Sequence, residues 1–233
     1  MEELIRYIRN YAAENRRMYT LFSLDRVEEY YRQDPETFRR CLLACRLMID
    51  LHVPVDAQEE DELLSALLCH GLADARLIGM SSDENIEAFY PASDRIRELV
   101  RLVVARKYLS DEKLKNYYDS ILADRDAFLI KLAERSNFSA NLHGLSIWDA
   151  RKYVQQTRAY YFPLCIKAKE QYPELYGIIS VLMEKMRSLT DVADILSGRY
   201  QEREIALTRE VLDLREENAR IRGLISSLEN SRA

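Results

Sequence analysis

Apolar residues recur at helical spacing from the start of the chain. Leu4, Ile8, Tyr11 and Met18 place one amphipathic helix over residues 2 to about 22, and Ser23 offers an N-cap for a short second one. Asp34 followed by Pro35 predicts a clean helix start: the carboxylate can accept orphan backbone donors, and the ring has no donor to lose. The apolar run from Phe38 to Leu51 behind it must be largely buried. Pro54 breaks the pattern, and residues 57–70 begin acidic and end apolar, as a helix does when its first turn meets solvent and its last enters a core. Residues 71–93, with two glycines, a proline and several serines, read as the least ordered stretch. Further helices are predicted from Ser93 to about Lys107, from Ser110 through Leu122, and from Asp124 through RDAFLIKLAERSNF. Ser146 with Asp149 resembles a capping box that opens another. Pro163 kinks or ends that helix. Pro173 opens the last, which meets no breaker apart from Gly198.

The tail carries the strongest pattern. Leu207, Leu214, Ile221 and Leu228 fall at d positions of a heptad, and Val211, Asn218 and Ile225 at a. Branched residues at a with mostly Leu at d favour a parallel pair of helices, and a lone Asn at a fixes register. Glu210 and Glu217 at g stand opposite Arg215 and Arg222 at the following e positions of a parallel partner. The expected partner is a second copy, joined through a stalk of about 40 Å at 1.5 Å per residue. A single helix lying back on the body is the competing reading.

Composition sharpens this all-α picture. Six Gly and five Pro among 233 residues leave little for hairpin turns. The length suits one helical domain over residues 1–198 and a coiled coil over 199–233. With 34 Lys plus Arg against 39 Asp plus Glu, the net charge of −5 repels nucleic acid and anionic membrane, and neither is expected as a partner. MEELIRYIRN interleaves charged and apolar residues, which suits neither a signal peptide nor a membrane span and points to the cytoplasm. Cys41, Cys45, Cys69 and Cys165 read as buried thiols, and the fifteen tyrosines as core and core rim.

Three segments, ELLSALLCHGLAD (62–74), ADRDAFLIKLAERSN (123–137) and ARKYVQQTRAYYFPLC (150–165), resemble in order and spacing the hydrolase half of the RelA/SpoT family, which removes the 3′-pyrophosphate from guanosine tetraphosphate (ppGpp). The resemblance covers roughly residues 35–195, is most specific in ILADRDAFLIKLAER, and implies an HD-type helical bundle. It also implies a divalent ion, usually Mn²⁺, held by a His, a His-Asp pair and an Asp. Those positions carry Cys41 (or Arg40), His70-Gly71 (or Cys69-His70) and Glu134 here, so Mn²⁺ is expected to bind weakly or not at all. A softer site for Zn²⁺ from Cys41, Cys69, His70 and Glu134 is a minor alternative. The family's catalytic acidic pair reduces to Asp74. Lys131, Arg135, Asn137 and Arg158 match or adjoin positions that in the family support the site or meet the nucleotide. Lys131 and Arg135 equally suit a solvated helix face, and His70 a helix-end histidine. Three functions stay open: a nucleotide-binding protein with a degraded metal site, an active pyrophosphohydrolase, and a dimeric interaction module with no ligand.

Overall fold

A computed structural model describes residues 1–30, 32, 34–73, 93–104, 111–138 and 146–230, and every regular element among them is helical. In chain order these are α1 (Glu2–Glu14), α2 (Met18–Tyr30), α3 (Pro35–Asp50), α4 (Ala57–Cys69), α5 (Asp94–Val103), α6 (Asp111–Ala123), α7 (Arg125–Phe138), α8 (Ile147–Gln156), α9 (Phe162–Gln171) and α10 (Tyr176–Asn230). Single turns of 3₁₀ helix follow α4 (His70–Ala73) and precede α10 (Pro173–Leu175), and one π turn (Thr157–Tyr161) joins α8 to α9. No described helix is long and apolar enough to cross a membrane.

The predicted caps form where the side chain lies beside the backbone it serves. Asp34 accepts from Thr37 N at 3.0 Å, Ser93 from Ile96 N at 3.4 Å, and Ser146 from Asp149 N at 3.2 Å while donating to the Asp149 carboxylate at 2.6 Å. Asp56 adds a full capping box with Glu59 at the head of α4. Ser110, Asp74 and most of the 71–93 stretch lie outside the described residues.

The helix expected over residues 2–22 divides into α1 and α2. Arg16 adopts φ 57°, in the left-handed region, and the chain re-enters a helix at Met18. The cause is remote in sequence. Asp61 on α4 accepts from Tyr19 N at 2.9 Å and Thr20 N at 2.7 Å, so a buried carboxylate of another helix caps α2. Ser23, expected as a cap, lies inside α2 and hydrogen-bonds Ser65.

Two helices form the centre. All residues of α4 from Asp61 to Cys69 are buried, as is the unbroken run Asp126–Ala133 of α7. A helix buried on nearly every side has no polar stripe, which is why neither reads as amphipathic. Helices α2, α3 and α5 pack on α4; α3 and α6 pack on α7; α10 crosses α7 and α8. The first half of α10 buries Ile179, Met186 and Ala193 at seven-residue intervals. In the same register further on, Leu207, Leu214 and Ile221 are about half exposed, as is Val211. The side chains of Ile225 and Leu228 lie outside those described.

Candidate functional site

The Lys131–Glu134 pair on α7 faces the end of α4 and its neighbour α3. Glu134 receives the Lys131 ammonium on one carboxylate oxygen, while its other oxygen lies 4.0 Å from His70 Nε2. His70 Nδ1 donates to the Leu67 carbonyl at 2.8 Å, three residues back along the same helix end, and stands 4.0 Å from the Cys41 thiol on α3. Cys41, His70, Lys131 and Glu134 therefore form one cluster, although α7 lies far along the chain from α3 and α4.

Its electrostatics are those of a cation-rich knot around one carboxylate. Burial works against the charge on Lys131, whose side chain is 8% exposed, yet the Glu134 carboxylate and the nearby hydroxyls of Tyr117 and Tyr161 hold its pKa well above the ordinary lysine range. Burial alone would raise Glu134; Lys131 and then His70 bring it down to about 2. Burial would lower His70, but Cys41 and Glu134 push it up to about 9 against the opposing charge of Lys131.

Arg135, one turn on from Lys131 along α7, packs against α8 and the π turn. Its Nε donates to Thr157 Oγ1 at 2.9 Å and a terminal nitrogen donates to the Tyr153 carbonyl; the guanidinium lies over the rings of Tyr153 (3.6 Å) and Tyr161 (4.7 Å). The Tyr153 hydroxyl returns a bond to the Arg135 carbonyl. Neither Lys131 nor Arg135 is a solvated-face residue. Tyr161 also meets Tyr118 edge-on at 5.5 Å, and Tyr118 stacks on Tyr160 at 4.9 Å. The four-residue spacing of Tyr153, Thr157 and Tyr161 is the sequence signal for this wall.

The other proposed ligand residues part company. Asn137, buried near the end of α7, accepts from Lys185 Nζ of α10 at 3.4 Å. Arg158 stands on the π turn and pairs with Asp191 at 3.2 Å and with Asp194, both on α10. It belongs to the foot of the long helix, beside a shallow cleft lined by Arg151, Gln155 and Asp194. Asp124, the residue best matched in the resemblance, caps α7 through Asp126 N (3.1 Å) and Ala127 N (3.0 Å) and grips Arg95 with both oxygens at 2.7 and 2.9 Å.

The donor set fits a divalent ion poorly. Gly71 has no side chain to offer, and the one carboxylate of the cluster already holds an internal ammonium. Among the described residues no three His, Cys, Asp or Glu side chains group in a metal-holding arrangement. Cys69 is buried on α4, and burial, with Cys41 and Cys69 nearby, raises the Cys45 thiol far above its ordinary pKa, as expected of inert core thiols. The cluster sets one carboxylate against the Lys131 ammonium and a His70 whose pKa is raised, a local surplus of positive charge. The sequence matches no family model and no curated protein.

Proposed function

We propose that this chain is a degenerate, stand-alone relative of the RelA/SpoT hydrolase domain that binds a phosphorylated guanine nucleotide without cleaving it efficiently, and that it works as a dimer. The observation that carries this reading is the Lys131–Glu134 pair. It falls in the segment ILADRDAFLIKLAER, where the resemblance is most specific, and engages the Glu134 carboxylate that the resemblance assigns to the ion. Loss of a carboxylate at Gly71 points the same way, because a hard divalent ion needs several charged oxygens and, among the described residues, Glu134 is the one beside His70. Positive charge from Lys131 and Arg135 remains to favour phosphate, and does so without a bound ion.

The dimer rests on α10. Its exposed seam of Leu207, Val211, Leu214 and Ile221, with complementary charges at the flanking positions, matches a parallel two-stranded coiled coil over residues 199–233. Asn218 bonds the Leu214 carbonyl at 3.1 Å within its own helix and would turn to its twin across the seam.

The test is metal content of the purified full chain, followed by ppGpp hydrolysis with and without added Mn²⁺. Little metal and no Mn²⁺-dependent release of pyrophosphate are expected. Stoichiometric metal with Mn²⁺-dependent turnover would make the chain a working hydrolase and overturn the proposal.

A further inference from the structure

Three residues beyond Glu134 on α7, two polar groups are left in want of an anion. Asn137 is 7% exposed, and its amide oxygen is turned to Lys185 Nζ at 3.4 Å. The amide nitrogen of the same side chain is buried and has no hydrogen-bond partner among the described residues. A buried donor left unmet in this way is uncommon in folded proteins and calls for an explanation. Lys185, half-buried on α10, has Asn137 as its hydrogen-bond partner and pairs with no carboxylate among the described residues. The cations of the α7 cluster and the foot of α10 sit on acceptors: Lys131 on Glu134, Arg135 on Thr157 and Tyr153, Arg158 on Asp191 and Asp194.

We infer that Lys185 and Asn137 form an oxyanion-binding point that takes a phosphoryl group. Both groups are donors, one carries a full positive charge, and nothing acidic on the facing helix neutralises it. Burial without a counter-charge pulls the Lys185 pKa below the usual lysine range, a penalty that a bound anion relieves. Lys131, Glu134 and Asn137 follow one another at three-residue steps on α7, so the point lies about 9 Å along the helix axis from Lys131. The inference deepens the proposed nucleotide reading: the point would take one phosphate group of the guanine nucleotide.

The experiment uses full-length protein labelled with ¹⁵N. Inorganic phosphate is titrated in while the side-chain amide of Asn137 is followed, in the parent chain and in Lys185→Met, which keeps the side-chain length and removes the charge. A saturable shift in the parent, lost in Lys185→Met with an unchanged melting temperature, is the expected result. No saturable shift in the parent, or a shift undiminished in Lys185→Met, overturns the inference. A second titration with ppGpp separates the two sources of phosphate. A tenfold or greater loss of ppGpp affinity in Lys185→Met assigns the point to the nucleotide; unchanged affinity contradicts that assignment and leaves free phosphate as the occupant. If ppGpp does not bind the parent at all, the proposed function fails, while the phosphate titration still decides the oxyanion point.

Discussion

At the scale of single residues the Lys131–Glu134 pair decides most. Removing one member of a buried ion pair costs about 3–5 kcal/mol when the survivor is stranded out of water. Glu134 is 39% exposed, so solvent softens the loss. Lys131→Met is expected to lower the unfolding free energy by about 1–3 kcal/mol in a urea titration, and a second change, Glu134→Gln, to recover part of it. A loss in the double variant equal to the sum of the two singles would mean that the pair is not coupled. Asp124 makes a pH prediction. Burial would raise its carboxyl, but the Arg95 guanidinium and the backbone donors at the head of α7 hold it below 3.8. As pH falls, the unfolded chain takes up the proton first, so the stabilisation is present above about pH 4 and is lost as pH drops through the lower folded value. Asp124→Asn is expected to flatten the fall in stability between about pH 5 and pH 2. A slope matching that of the parent would contradict this role.

At the scale of elements, what the sequence could and could not tell follows from distance along the chain. The caps at Asp34, Ser93, Asp124 and Ser146 were legible because each serves donors two or three residues away. The break between α1 and α2 was not, because residues 15–17 hold no helix breaker and the cap comes from Asp61, more than forty residues on. The cluster of Cys41, His70 and Glu134 was legible only through the resemblance. Spacing gave no clue that Lys131 is buried or that Arg135 is walled in by tyrosines, since both features depend on which helices pack against α7. The resemblance puts Arg158 among the ligand positions, but the π turn directs it to α10. That same turn supplies Thr157 and Tyr161 to Arg135, and lysine can reproduce neither the planar fork nor the stacking. Arg135→Lys is expected to cost about 1–2 kcal/mol of stability and to weaken nucleotide binding several-fold, read by urea unfolding and by titration. Unchanged stability would mean that the guanidinium is not what ties α7 to α8 and the π turn.

At the scale of the whole molecule, α10 is one uninterrupted helix of 55 residues that serves two purposes. Up to Ala193 its apolar stripe completes the core; from Leu207 the same stripe lies open. A helix that exposes an apolar seam at heptad spacing invites a partner with the same seam. Leu214→Asp is expected to convert a dimer into a monomer in light scattering without lowering the helical content of the body. A parent chain that is already monomeric at tens of micromolar would remove the dimer from the proposal while leaving the site untouched.

The most direct test of the functional reading is a calorimetric titration of ppGpp into the full chain in the presence of a chelator, repeated with added Mn²⁺. Binding of equal affinity in both, with the nucleotide recovered intact, is the expected result. Binding seen only with Mn²⁺, or no binding in either, would contradict a site that holds the nucleotide without a metal.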